Sequence, residues 1–255
     1  MTIVVAHRGA STLAPENTME AFRLAVEAGA DAIEVDVHLT SDGQLAVIHD
    51  ETLDRTTDRT GRVADMTMDQ VREADAGATF ARADDSNFPF AGRGLRVPTL
   101  GEVLDWLPDD LGLVIEIKAR PASDAVVEAV RSHPVQTGGR LSVISFDEAS
   151  IEGVRELEPQ IKTGYLLVPT QPIEPALIWA TEHGHTGVHP WDGDIGMDPL
   201  PLLAQANAYG REIGCYVVND PERMKHLAAC RLWGFVTDVP EIAREALGPG
   251  PQHGG

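Results

Sequence analysis

The sequence is poor in cysteine, poor in positive charge and without any long apolar run. Its 255 residues hold two cysteines, Cys215 and Cys230. Their spacing suits neither a CxxC redox pair nor a zinc ligand set, so they read as cytosolic thiols with structural roles. Lys and Arg number 20 against 40 Asp and Glu, a formal net charge of −20. A field of that sign repels nucleic acid and anionic membrane surfaces and argues against both as general partners. A small anionic substrate would need local positive charge, from Arg, Lys or a metal ion. No apolar run approaches the ~18 residues that span a bilayer, and no stable membrane association is expected. The first apolar run, IVVAHRG, follows Met1 and Thr2 directly. It lacks the basic leader and the roughly 7- to 15-residue apolar segment of a secretory signal, which gives the expectation of a cytoplasmic location.

What is there is a regular alternation. Apolar residues make up 43% of the chain, enough for one large core, and one α/β barrel commonly takes about 250 residues. Asn17 with Glu20, Thr67 with Gln70, and Thr99 with Glu102 each fit a capping box and place three helix starts. The first helix buries Met19, Phe22 and Val26 and stops at Gly29. Further helices follow Asp147, Asp198 and the Asp220-Pro221 pair. Between them lie IVVA, AIEVDV, LAVIH, LVIEI, LSVIS, TGYLL, TGVH, CYVV and GFVT. Strand–helix alternation along the whole length predicts a parallel sheet closed into a barrel. Nine strand candidates exceed the eight a barrel needs, so one lies outside the ring. Asp36 to His49 is too short for a crossover helix, which predicts an extended connector through Thr40 to Gln44 with a turn at Asp42-Gly43. A stretch from about 50 to 98, including the polar ARADDSNFPFAGRG, reads as an insertion over the barrel mouth. Residues 1–247 read as one domain and 248–255 as a disordered tail.

Barrel chemistry belongs at the C-terminal ends of the strands. His7 and Arg8 end the first strand, Glu34 and Asp36 the second, His49 the third, and Glu116 with Lys118 the LVIEIK strand. Period-two alternation puts Glu34 and Asp36 on one face, and likewise Glu116 and Lys118. Three inward carboxylates cannot all remain ionised in a low-dielectric mouth without a cation. Oxygen ligands alone point to one hard divalent ion, Mg²⁺ or Ca²⁺. Two flanking histidines supply a general acid and a general base, and Arg8 and Lys118 offer charge to a phosphate. Each feature alone is ordinary; their coincidence at successive strand ends separates a site from a solvated face.

VAHRGAS, PENT, GADAIEVDVHLTSDG, HDETLDRTT, VPTL, EIK, ISFD, VVNDPE and FVTDVPE occur in this order along nearly the whole chain. In this the sequence resembles the glycerophosphodiester phosphodiesterases. The resemblance implies a (β/α)8 TIM barrel, in which the small insertion read above follows the third strand. It further implies a divalent metal on Glu34, Asp36 and Glu116, catalytic His7 and His49, and phosphate contacts from Arg8 and Lys118. The implied reaction is metal-dependent hydrolysis of a small glycerophosphodiester to glycerol 3-phosphate and an alcohol. Tyr216 stands where the family usually has Trp, so the substrate wall is expected to differ there.

His189, Trp191 and Phe146 are further candidates to line the pocket. His183, His185 and His189 lie close in sequence as a zinc site might, but only His189 falls at a strand end. His38 is read as structural, pointing away from the Glu34/Asp36 face, and Arg55 as an anchor of its own loop or a substrate contact. Two alternatives stay open: a related phosphodiesterase acting on lysophospholipids or phosphoinositides, and a non-catalytic barrel that binds phosphate esters.

Overall fold

A computed structural model describes residues 2–81, 87–133 and 141–250. Its strands are β1 (Ile3–Ala6), β2 (Ala32–Leu39), β3 (Leu45–Val47), β4 (Gly112–Ile117), β5 (Leu141–Ser145), β6 (Lys162–Leu166), β7 (Gly187–His189), β8 (Glu212–Cys215) and β9 (Gly234–Thr237). Its helices are α1 (Met19–Glu27), α2 (Met68–Val71), α3 (Leu100–Trp106), α4 (Ser123–Ser132), α5 (Glu148–Leu157), α6 (Ile173–Glu182), α7 (Asp192–Ile195), α8 (Leu200–Ala208), α9 (Pro221–Ala229) and α10 (Pro240–Leu247). Eight strands pair in parallel in the order β1-β2-β4-β5-β6-β7-β8-β9, and β9 returns to β1. The fold is a (β/α)8 TIM barrel. Among the described residues no helix is long and apolar enough to cross a membrane.

Alternation along β2 builds the two layers. Ile33, Val35 and Val37 join Phe22, Leu100, Leu113, Ile115 and Val126 in the cluster between ring and helices. Ala32 joins Val5, Val114, Ile144 and Leu166 in a smaller cluster of alternate residues from several strands. Glu34 and Asp36 share the parity of Ala32 and continue its row along the strand.

The strand outside the ring is β3. It pairs antiparallel with β2, matching Val37 to Val47 and Leu39 to Leu45, because five connecting residues allow a hairpin but no crossover. The expected turn forms, with Thr40 Oγ1 donating to Asp42 Oδ1 at 2.6 Å and Gly43 at φ +79°. His49 therefore follows a hairpin strand rather than a barrel strand. The seventh ring strand, β8, is Glu212–Cys215, displaced from the expected CYVV.

Thr67 and Thr99 form the expected capping boxes with Gln70 and Glu102. The first helix is capped differently: Thr18, not Asn17, accepts from the Ala21 amide at 3.3 Å. The buried face of α1 is Ala21, Phe22 and Ala25, with Met19 and Val26 only partly covered. Within the insertion, Leu53, Val63, Met68, Val71 and Val97 form a core of their own with Ala46 and Ile48. Of the polar stretch ARADDSNFPFAGRG, residues 82–86 lie outside the described residues, as do 251–255 of the tail. The Gly248 amide caps α10 with a bond to the Arg244 carbonyl at 2.9 Å.

His189, expected at the mouth, turns inside the ring. A Cβ on Gly164 would meet its Nε2 at 2.3 Å, and one on Gly214 would meet its Nδ1 at 2.4 Å. Trp233 lies edge-on at 5.6 Å. Burial holds the imidazole pKa down at about 4, so at neutral pH it is an uncharged filler. Gly164→Ala is expected to cost about 1–3 kcal/mol, the usual penalty for forcing an extra methyl into a packed core. Urea unfolding of Gly164→Ala, His189→Ala and the double variant should show the double variant losing less than the two single losses added. Simple additivity would place the ring elsewhere.

Candidate active site

The mouth is built from the ends of β1, β2 and β4 and the hairpin that follows β2. Register sets Asp36 beside Glu116. One carboxylate oxygen each from Glu34, Asp36 and Glu116 lies within 4.8 Å of the other two, and all three residues are buried. The cluster is neutralised from two sides. Lys118 Nζ lies 2.9 Å from Asp36 Oδ1 and 2.5 Å from Glu116 Oε1. Arg8 Nε lies 3.2 Å from Asp36 Oδ2, and its backbone amide donates to Glu34 Oε2 at 3.0 Å. Burial works against ionising Asp36, yet Lys118 and Arg8 hold its pKa at about 2. Glu34 goes the other way: burial, then the charges of Asp36 and Glu116, drive its pKa well up. Glu116 is raised by burial and by Asp36. Glu34 Oε1 is buried without a hydrogen-bond partner among the described residues. An orphaned carboxylate oxygen beside two further oxygen donors is the ligand set a hard divalent cation takes, so the residues present fit Mg²⁺ or Ca²⁺.

Two residues here hold left-handed backbone, Arg8 at φ 56° and Asn17 at φ 55°. That conformation costs energy in any residue but glycine and persists only where the surroundings enforce it. The Asn17 amide donates to the Arg8 carbonyl at 3.0 Å. Its side chain donates to Asp36 Oδ2 at 2.8 Å and accepts from the Asp36 amide at 3.3 Å. Gly9 completes the turn at φ +83°, where a Cβ would collide with the Ala21 backbone at 2.6 Å. Asn17 is thus a buried clamp on Asp36.

Each histidine has a carboxylate on Nδ1. His7 meets Asp238 Oδ1 at 2.6 Å and His49 meets Asp50 Oδ1 at 2.6 Å. An ionised carboxylate only accepts, so Nδ1 donates in both, and Nε2 of each is left without a hydrogen bond among the described residues. The backing is unequal. Arg55 donates to both oxygens of Asp50, at 2.7 and 3.0 Å, and to both oxygens of Glu16, at 2.8 Å each. Its bonds hold the Asp50 pKa low. Burial lowers the His49 pKa, with Asp36 opposing. Glu16 also accepts from Arg8 Nη1 at 2.9 Å. Arg55 therefore ties the insertion to the mouth and is saturated by carboxylates. His38 Nε2 bonds the His49 carbonyl at 2.9 Å. It shares the parity of Glu34 and Asp36, contrary to the expectation, and steadies the backbone that presents His49.

The other half of the mouth is aromatic. Phe146 meets Tyr216 edge-on at 5.7 Å, Tyr216 donates its hydroxyl to the Leu167 carbonyl at 2.5 Å, and the Trp191 backbone pairs with that of Tyr216. Burial, then the Glu116 charge, pushes the Tyr216 pKa to about 12, so it remains a neutral donor. His183 and His185 stack on Trp179 at 4.8 and 4.7 Å, apart from His189, and form no metal set among the described residues. Sequence reasoning brought His7, Arg8, Glu34, Asp36, His49, Glu116 and Lys118 into one neighbourhood. It missed Glu16, Asn17, Asp50, Asn219 and Asp238, although PENT, HDETLDRTT, VVNDPE and FVTDVPE all carry them.

Asn17→Ala should weaken Mg²⁺ or Ca²⁺ binding by about 10- to 100-fold, the usual effect of removing a partner that orients a metal ligand. Calorimetric titration of the ion checks it, and unchanged affinity would reduce Asn17 to a turn residue.

The comparisons with known proteins bear on the whole chain. Residues 7–242 match the model of the Glycerophosphoryl diester phosphodiesterase family. The glycerophosphodiester phosphodiesterase of Caldanaerobacter subterraneus subsp. tengcongensis is 36% identical over 247 residues, covering 94% of this chain and 95% of that one. The crystal structure of a glycerophosphodiester phosphodiesterase from Agrobacterium tumefaciens superposes with a TM-score of 0.81 at 30% identity, covering 96% of this chain and 100% of the other. An Oleispira antarctica phosphodiesterase, solved in complex with the product sn-glycerol-3-phosphate, superposes with a TM-score of 0.81 at 25% identity over 97% of both chains. Matched in sequence and in fold over nearly its whole length, the chain belongs to the glycerophosphoryl diester phosphodiesterase family, a family of phosphoric diester hydrolases.

Proposed function

We propose that this protein hydrolyses small glycerophosphodiesters to glycerol 3-phosphate and an alcohol, with a divalent ion held by Glu34, Asp36 and Glu116. The observation that carries the reading is the buried carboxylate cluster with its orphaned Glu34 Oε1, flanked by two histidines that each have a carboxylate on Nδ1. Counting only the innermost groups, three carboxylates against Arg8 and Lys118 leave one formal negative charge. A divalent ion reverses that sign, which an anionic diester requires. When bound, the ion supplies positive charge that offsets the charge developing on the phosphoryl oxygens.

In the first step His7 Nε2 takes the proton of the substrate's 2-hydroxyl as that oxygen attacks phosphorus. His49 Nε2 gives a proton to the departing alkoxide. Water then opens the cyclic phosphate with the roles reversed, which returns both histidines to their starting states. The unequal backing supports these labels. Asp238 bonds His7 without a cation of its own, so its charge is available to an imidazolium forming on the base. Arg55 offsets the charge of Asp50, which makes His49 a readier donor. Lys118 and Arg8 hold the ligands in place and face the phosphate with positive charge. The insertion of residues 50–98, tied to the mouth through Arg55 and Glu16, shapes the side on which the alcohol leaves, and residues 1–247 act as one barrel domain. The free thiols Cys215 and Cys230 support a cytoplasmic setting.

A second reading, action on lysophospholipids, is favoured by one observation. Phe146, Val168 and Trp191 on the loops after β5, β6 and β7 are 39%, 52% and 43% exposed, an apolar rim that an acyl chain could cover. Release of glycerol 3-phosphate from choline, ethanolamine and glycerol esters, against lysophosphatidic acid from lysophosphatidylcholine, separates the two.

Chelation is expected to abolish turnover, and Mg²⁺ or Ca²⁺ to restore it. At a hundred times its Kd the ion should also stabilise the fold by about 2.7 kcal/mol. Thermal melts should show that gain in the parent protein and lose it in Glu34→Gln. An activity that survives thorough demetallation, with no ion-dependent melt, removes the metal from the proposal. For the histidines, His49→Ala should lose about 10²- to 10⁴-fold on glycerophosphocholine, the scale of proton-transfer catalysis. It should lose much less on a glycerophospho-nitrophenyl ester, whose phenolate leaves unprotonated. His7→Ala should be impaired on both; the opposite pattern would exchange the roles.

A further inference from the structure

The motifs VVNDPE and FVTDVPE lie at the ends of the last two barrel strands, and of their polar residues the reaction as proposed uses only the charge of Asp238. The ring closes there. Parallel pairing of β1 with β9 matches Ala6 to Thr237, and the His7 amide donates to the Thr237 carbonyl at 2.9 Å. The next residue on each strand is then His7 and Asp238, neighbours in space though 231 positions apart.

We infer that Asp238, oriented by Asn219, is the positioning residue that fixes the tautomer and ring plane of His7. The inference rests on the proposed role of His7 as base.

The carboxylate is held at both ends. Oδ1 receives His7 Nδ1 at 2.6 Å and Ser11 Oγ at 3.4 Å, while Oδ2 receives Asn219 Nδ2 at 2.7 Å. The Asn219 amide cannot be turned over, because its Oδ1 accepts from the Asp238 backbone amide at 3.0 Å and from Thr237 Oγ1 at 3.0 Å. Swapping O and N would set the amide NH2 against the Asp238 backbone N–H and the amide oxygen against the Asp238 carboxylate. Thr12 Oγ1 adds a bond to the Asp238 carbonyl at 3.1 Å, and Thr237 Oγ1 accepts from the Val239 amide at 3.2 Å. With bonds to both of its oxygens and to the backbone on either side, the carboxylate is held in this orientation. In that orientation it accepts only at Nδ1. The proton of neutral His7 is thereby kept on Nδ1, and Nε2 keeps the lone pair that a base needs. Asp50 does the same for His49 but shares its charge with Arg55; Asp238 has only neutral donors besides His7.

The experiment compares Asp238→Asn, Asp238→Glu, Asn219→Ala, His7→Ala and the double variant His7→Ala/Asp238→Asn, in the presence of Mg²⁺ or Ca²⁺ with glycerophosphocholine. Asp238→Asn should lower kcat by about 10³- to 10⁴-fold, the scale of a histidine held in the wrong tautomer, with KM little changed. Asp238→Glu should recover part of the loss, and Asn219→Ala should lose less in the same direction. The double variant should be no worse than His7→Ala. A second readout needs no turnover: the ¹⁵N signals of the His7 ring, identified by their absence in His7→Ala, should report an Nδ1–H imidazole in the parent and a shift toward Nε2–H in Asp238→Asn and Asn219→Ala. An unchanged tautomer in both variants, or losses that simply add in the double variant, would overturn the inference. If His7→Ala is inactive while Asp238→Asn is fully active, the inference fails alone; full activity in His7→Ala brings down the reading of His7 and this inference with it.

Discussion

Three carboxylates buried within 4.8 Å of one another are the constraint to which the rest of the mouth answers. Like charges at that separation in a poorly hydrated site cannot coexist unaided, and the chain meets the cost in layers. Lys118 and Arg8 come first, both largely buried. Behind Arg8 stands Glu16, behind Glu16 stands Arg55, and behind Arg55 stands Asp50 with His49. The sequence of charges alternates in sign from the barrel axis to the insertion. Its geometry requires Arg8 and Asn17 to take left-handed backbone, strain that the surrounding bonds hold in place.

The two histidines stand at opposite ends of this arrangement and owe their positions to different parts of the fold. His7 depends on ring closure, since only the β1–β9 pairing brings Asp238 to it. His49 depends on a hairpin that lies outside the ring, with His38 and Asp50 holding it. A barrel of eight equal units would place both on ring strands. Here one comes from the scaffold and the other from an addition to it, so changes in the 50–98 segment bear directly on His49 and reach the carboxylates only through Arg55, Glu16 and Arg8.

Much of this was legible in the sequence because it depends on short-range patterns. Period-two spacing put Glu34 and Asp36 on one face, and the templates at Thr67 and Thr99 located two helix starts. The failures have equally local causes. Asn17 fits a cap template with Glu20, but the adjacent Thr18 competes for the role, and the needs of Asp36 decide between them. LAVIH has the composition of a ring strand; only the length of its connection to β2 reveals the hairpin. His189 sits at a strand end by count, yet a three-residue strand with glycines on both neighbours leaves an internal space for its ring. Asp238 could not be assigned from sequence, because its partner His7 is at the far end of the chain and becomes its neighbour only when the ring closes, and Asn219 acts only through Asp238.

The depth of the positive charge bears on how substrate arrives. Arg8 and Lys118 have side chains only 16% and 13% exposed and stand among carboxylates, while the chain as a whole carries −20. Within about a Debye length of the surface, roughly 8 Å at physiological ionic strength, an approaching diester meets a repulsive field rather than a guiding one. Capture then depends on unsteered encounter followed by short-range attraction at the bottom of the mouth. Added salt, which slows enzymes that draw anions in from afar, here weakens the barrier to entry. A zwitterionic ester such as glycerophosphocholine crosses that barrier more easily than one with net negative charge.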